Sequence, residues 1–367
     1  MSRKVDERIG AELARAEAEG SCLVPATRAD RAALMRRVRR RRTADEDRII
    51  SPAPGIYARW AHWRSLKPPQ RALGIIRGLA ALHPDWVFCG PSAALVRGIS
   101  VSWASLRRTH VVCGPRDGKR LAARIVRHQI DPGDVEVVSG VRVTSLARTA
   151  FDCMRDASFP DALAVADSVL RLSGMSRGAL RRLLRRSFSG HRGIARTLAT
   201  CDWADPRAEN GGESVARAIM IERGVALPAI QVRLADPLEE DGWFRIDFTW
   251  LGEDGRPVAG ELDGLVKYVD PAFMGGLDLM AVISGERRRE ARITAYDMRV
   301  ARFSLGEVEN EASFWRWVRL YGIPFGPPPE RRHGVPVRAL AGGWSPSCGA
   351  GEMSLGGWRL EYQVVVA

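Results

Sequence analysis

Trp243-Phe244-Arg245-Ile246-Asp247-Phe248-Thr249-Trp250 alternates with a period of two, the pattern of a half-buried β-strand. Gly252, Asp254 and Gly255 supply turn chemistry over 251–256, and Pro257 to Leu262 reads as the returning strand. Such a hairpin brings Asp247 close to Glu261. Glu261 and Asp263 are two residues apart, which predicts that they share one sheet face. Carboxylates converging at strand ends repel one another unless a cation lies between them, and a ligand set made only of oxygen suits Mg²⁺. The flanks extend the pattern. Glu213 opens a helix-like segment that Gly224 closes, and Gln231 follows a short loop. Downstream, Glu286-Arg287-Arg288-Arg289-Glu290-Ala291-Arg292 predicts a charged helix leading into a strand from Met298 to Phe303.

The order helix with an acid, strand with an acid, strand with acid-x-acid, basic helix, strand resembles the PD-(D/E)XK nuclease superfamily over residues 205–320. It is most similar to the actinobacterial branch related to very-short-patch-repair endonucleases. The resemblance rests on Glu213, Gln231, Arg245-Ile246-Asp247, Glu261-Leu262-Asp263-Gly264 and Arg288 to Arg292. It implies a metal-dependent endonuclease core that hydrolyses phosphodiester bonds, with Asp247 and Glu261 holding Mg²⁺ or Mn²⁺. Glu213 and Gln231 would orient water. Lys267, or an arginine of 287–292, would stabilise charge developing on the phosphate oxygens. Arg288, Arg289 and Arg292 are then candidate nucleic-acid contacts. The chain departs from the superfamily at Asp263, where a lysine usually stands two residues after the second acid. Lys267, four residues further on, is one of only four lysines among the 56 basic residues, and it is the candidate replacement.

Residues 1–65 read as a small helical unit with a β-wing. One helix runs from Val5 to Glu19. A second, capped at Thr27 or Asp30, carries Arg36, Arg37, Arg39, Arg40, Arg41 and Arg42, which would track phosphates. Pro52-Ala53-Pro54-Gly55 then turns a hairpin. Residues 66–203 predict an α/β unit. There Ser92-Ala93-Ala94 with Gly98, and later Thr144-Ser145-x-x-Arg148-Thr149-x-x-Asp152, resemble the AbiEi-type antitoxins of type IV toxin–antitoxin systems. That resemblance covers roughly 15–175. It implies a DNA-binding transcriptional regulator with a winged helix ahead of this domain, and a cognate toxin. Arg148 and Asp152, four residues apart, also have the spacing of an ordinary helix ion pair.

The expected class is therefore mixed α/β (α+β). A winged helix (1–65), an antitoxin-like domain (66–203) and a restriction-endonuclease-like mixed sheet flanked by helices (204–325) precede a mostly disordered tail (326–367). A net charge of +13 points to a polyanionic partner, DNA first and RNA second. The six cysteines form no Cys-x-x-Cys pair, which fits a reducing cytoplasm and argues against a zinc or disulfide framework. No segment reaches the ~20 apolar residues of a membrane span. Two functions compete on this sequence. One is a DNA-binding endonuclease. The other is a non-catalytic antitoxin-type regulator that uses the nuclease fold as a scaffold.

Overall fold

The computed structural model describes residues 3–39, 48–114, 124–131, 133–239, 241–263, 279–337, 351–355 and 358–362. It is a mixed α+β protein that divides into two compact units, Met1–Asp156 and Ala157–Ala367.

The first unit opens with α1 (Arg3–Ala18) and α2 (Arg28–Arg39), followed by a short hairpin of β1 (Ile49–Ile50) and β2 (Ala58–Arg59). Ile9 and Leu13 of α1, Leu34 of α2, Ile49 and Tyr57 bury one another in a single cluster. Helix α2 starts where Thr27 accepts from the Asp30 amide, while Asp30 itself is buried and ion-paired to Arg8. Next come α3 (Trp60–Ser65), α4 (Pro68–Leu82) and α5 (Gly90–Val96). Two two-stranded sheets follow. In the first, β3 (Thr109–Val112) runs parallel to β4 (Ile125–His128). In the second, β5 (Val135–Val138) runs antiparallel to β6 (Val141–Thr144). Ahead of α5, isolated bridges at Phe88 join it to Val111 on one side and Val143 on the other. Phe88 is wholly buried, so its backbone stitches the two sheets over the core that its ring fills. Helix α6 (Leu146–Met154) closes the unit. Its N-cap is Ser145, whose side chain accepts from the Arg148 amide.

The second unit begins with α7 (Phe159–Ser173), α8 (Arg177–Phe188), α9 (Ile194–Cys201) and α10 (Gly211–Glu222). A six-stranded sheet is built from β7 (Ala229–Ala235), β8 (Trp243–Leu251), β9 (Pro257–Asp263) and, after α11 (Leu279–Thr294), β10 (Arg299–Ser304). The chain continues through α12 (Leu305–Glu309), α13 (Glu311–Leu320), a small hairpin of β11 (Arg331–Arg332) and β12 (Val335–Pro336), and finally β13 (Gly351–Leu355) and β14 (Trp358–Tyr362). The strand order is β10-β9-β8-β7-β14-β13. Only the β9–β10 pair is parallel, because α11 makes the crossover between them. The tail expected to be disordered therefore supplies the β13–β14 hairpin, whose β14 extends the sheet through Leu360↔Leu234 and Glu361↔Arg233. The alternation Trp358-Arg359-Leu360-Glu361-Tyr362 is a strand signal too short to stand out among the glycines and serines around it.

The sheet carries apolar clusters of different membership. Phe248, Trp250, Val258, Phe303, Phe314 and Trp317 form the larger, and Val232, Leu234, Ile246, Ala259, Ile293 and Tyr296 the smaller. Ile246 and Phe248 are two residues apart yet belong to different clusters, as do Val232 and Ile230 on the paired strand. The change falls at Gln231 and Asp247, which stand opposite each other between those pairs. Gln231 has a left-handed backbone there, with φ of 55°. A side chain other than glycine rarely takes that conformation, at a cost of roughly 1–3 kcal/mol.

Candidate functional site

Asn210-Gly211-Gly212-Glu213 builds the first wall of the site. Asn210 is the N-cap of α10, and its side-chain oxygen accepts from the Glu213 amide at 3.1 Å. Glu213 sits in the first helical turn, where the helix dipole favours a negative charge. Its carboxylate accepts from the Glu209 amide at 2.8 Å and from Asn210 Nδ2. The strained Gln231 reaches across from β7. Its Nε2 donates to Glu213 Oε2 at 3.0 Å and approaches Asp247 Oδ1 at 3.4 Å. Asp247 Oδ2 accepts from the Leu262 amide at 3.0 Å, which ties β8 to β9 beside Glu261. Gln231 Oε1 is buried with no hydrogen-bond partner.

The structure thus links Glu213, Gln231 and Asp247 in one chain of hydrogen bonds, with Glu261 next to them on β9. Burial pushes the Glu213 carboxyl up to about 7, against the pull of the Glu209 amide and with the Asp247 charge adding to the rise. Burial also raises Asp247, opposed by the Leu262 amide, and Glu261, opposed by Arg289. Three neighbouring carboxyls displaced in one direction mark a functional-site candidate.

Arg289 determines the charge balance. Its guanidinium grips both oxygens of Glu261 at 2.8 and 2.9 Å and donates to the Arg245 carbonyl at 2.6 Å. Asp263 faces Arg302 at 3.2 Å instead of joining the other acids. Among the described residues no group of three or more His, Cys, Asp or Glu side chains is arranged to hold a metal ion. Glu261 is paired with Arg289, which supplies counter-charge within the acid cluster.

The arginines expected to contact nucleic acid divide in the same way. Arg37 is ion-paired to Asp6, and Arg292 to Asp236 and Glu239. Arg36, Arg39 and Arg288 are solvent-facing. Arg40, Arg41, Arg42 and Lys267 lie outside the described residues. The sequence reading overlooked Asn210 and the pairing role of Arg289. The first was detectable, because Asn-x-x-Glu is a helix-start signature of the capping-box type. The second was not, since 28 residues separate Arg289 from Glu261.

In the first unit, the Thr144 to Asp152 motif is helix-start chemistry. Thr144 and Thr149, both fully buried, share a hydrogen bond of 2.9 Å between their hydroxyls. Ser145 caps α6, and Arg148 pairs with Asp152 at 2.9 Å. Close by, His110 Nδ1 and His128 Nε2 lie 2.8 Å apart with their rings stacked. A single shared proton satisfies that contact, whereas two imidazolium rings there would repel. Burial pushes His110 down to about 4, helped by His128, and lowers His128 as well. Folded values below the ordinary 6.5 mean that this stabilisation is complete above about pH 6.5 and is lost as pH falls toward about 4. The melting temperature is expected to drop over that interval, and to drop less steeply in His110→Gln. Equal slopes for the two proteins would remove the pair from the acid response.

With the geometry in view, comparison with known proteins gives the class first. Residues 90–199 match the AbiEi antitoxin C-terminal domain. Two proteins of Mycobacterium tuberculosis are similar to the chain: uncharacterized protein MT2308 of strain CDC 1551 / Oshkosh and uncharacterized protein Rv2248 of strain ATCC 25618 / H37Rv. Each is 31% identical over 202 residues, covering 53% of this chain and 70% of the relative. The chain belongs to the same family as these mycobacterial proteins and carries an AbiEi antitoxin C-terminal domain. No solved structure matches it. Among the described residues no helix is long and apolar enough to cross a membrane.

Proposed function

We propose that the chain is an antitoxin-type transcriptional regulator that binds operator DNA through residues 1–65 and has a cognate toxin as partner. The observation that carries this reading is the AbiEi antitoxin match over 90–199. It is supported by the helix pair and hairpin at the N-terminus, where α2 presents Arg36 and Arg39 to solvent. The nuclease-like sheet then serves as scaffold, and its acids are balanced by Arg289 and Arg302. The test is repression of a reporter placed behind the chain's own promoter, with wild type and with Arg36→Gln/Arg39→Gln. Repression lost in the variant supports the reading, and a wild type that neither represses nor shifts that promoter DNA ends it.

A second reading keeps the hydrolytic role of residues 204–325. The buried, partnerless Gln231 Oε1 and the raised carboxyls around it favour this alternative. Incubation of plasmid DNA and of RNA with Mg²⁺, Mn²⁺ or EDTA decides it. Cleavage by wild type that disappears in Asp247→Ala would make the chain an enzyme, and intact substrate in every condition would leave the scaffold reading alone.

A further inference from the structure

Residues 176–201 hold seven arginines and no aspartate or glutamate. That one segment accounts for more than half of the chain's net charge of +13. It forms α8, a turn and α9 within the second unit.

The structure sorts these arginines into two kinds. Arg177 donates from Nε to the Ala204 carbonyl at 3.0 Å. Arg181 donates to the Leu198 carbonyl at 2.9 Å and is ion-paired to Asp202, which locks α8 against the far end of α9. Arg196 is half-buried on α9. These three work inside the fold. Arg182, Arg185 and Arg186 are exposed, and Arg192 is exposed in the turn that follows. None of the four has an acidic partner among the described residues.

Their spacing is directional. Leu180, Leu184 and Phe188 recur every four residues and are buried. Arg182, Arg185 and Arg186 are related by three and four positions, so they share one stripe on the side away from that core. Like charges at this spacing repel by tenths of a kcal/mol within an isolated helix. This contrasts with the arginines first expected to contact nucleic acid, several of which are consumed internally: Arg37 by Asp6, Arg289 by Glu261 and Arg292 by Asp236.

We propose that the outer face of α8, with Arg182, Arg185, Arg186 and Arg192, is a sequence-independent docking surface for the phosphate backbone of duplex nucleic acid. Charge complementarity names the occupant. A duplex presents about one negative charge per 1.7 Å of axis, and guanidinium groups form paired hydrogen bonds with phosphate oxygens. An apolar-backed helix with a freely solvated cationic stripe meets such a surface without having to break ion pairs. The surface belongs to the unit that carries the acid cluster, and it stands whether or not residues 1–65 read an operator.

The experiment uses the full chain and a short duplex of random sequence, supplied as DNA and as RNA. The apparent affinity is measured across a salt series for wild type, for the four-fold Arg→Gln variant and for the four-fold Arg→Lys variant at these positions. Each phosphate contact contributes roughly 0.9 to the slope of log affinity against log salt, so the loss of four contacts in the glutamine variant is expected to flatten that slope by about 3.6. The lysine variant keeps the charge and is expected to keep the slope. The positions are exposed, so circular dichroism should show both variants folded. Unchanged slope and affinity in the glutamine variant would overturn the proposal. So would equal losses in the glutamine and lysine variants, since charge would then not be what binds. Unchanged duplex binding with lost affinity for polyglutamate would overturn it in favour of an acidic protein partner. A parallel Arg36→Gln/Arg39→Gln variant separates the two surfaces. If it alone loses binding to random duplex, the α8 surface is refuted while the regulator reading survives.

Discussion

Replacing Arg217 with methionine is expected to destabilise the Ala157–Ala367 unit by about 3–5 kcal/mol, the usual consequence of leaving half of a buried ion pair behind. Asp167 is fully buried on α7, and Arg217 on α10 is 4% exposed. One guanidinium nitrogen donates to both Asp167 oxygens, at 3.0 and 2.8 Å, and the Asp205 amide donates to Asp167 at 2.7 Å. Burial raises the Asp167 carboxyl against the opposing pull of Arg217, so a carboxyl stripped of this partner folds only by taking up a proton. Arg217→Met should therefore lose most at neutral and alkaline pH and least in acid. The double variant Asp167→Leu/Arg217→Met should recover much of the loss, because two apolar side chains of similar volume leave no charge uncompensated. Urea melts across pH of wild type, single and double variants measure this. A double variant as unstable as the single would show that the pair contributes through packing and not through charge.

Phe248→Ala is expected to cost about 3–5 kcal/mol, the range for truncating a buried aromatic residue. Phe248 is 1% exposed, and its ring lies 5.9 Å from Trp250 and 5.8 Å from Phe303. It follows Asp247 directly on β8. The substitution empties the larger core cluster while leaving the Asp247 hydrogen bond to the Leu262 amide in place. Tryptophan fluorescence during denaturation reads the loss through Trp250. A change below about 1 kcal/mol would mean that the core closes around the cavity and that the sheet is less rigid than its packing implies.

These two residues show what the sequence could and could not convey. The alternation around Phe248 is written in the chain, because a half-buried strand must place apolar groups at every second position. The two-strand placement of Asp247 and Glu261 follows from the same period and from the glycines of the turn. Asn210 could have been read from its spacing to Glu213. Arg217 could not: nothing in Arg-Ala-Ile-Met distinguishes an arginine that binds a carboxylate 50 residues earlier from one facing solvent. Arg289 is the same kind of case. A run of arginines reads as a phosphate-tracking stripe until the crossover helix turns one of them toward Glu261. The left-handed backbone at Gln231 left no signal either, since glutamine has no preference for it and only the surrounding sheet imposes it.

The pair between α7 and α10 also bears on where the chain can be cut. The AbiEi match ends at residue 199, yet α7, which lies within it, packs along α10, which lies beyond it. The end of that match at residue 199 thus falls inside the compact unit Ala157–Ala367. A shortened gene ending there would encode an α7 whose buried Asp167 and neighbouring apolar side chains had lost their cover. Such a fragment is expected to be insoluble, and a loss of function in it would report misfolding and not the absence of a functional site downstream.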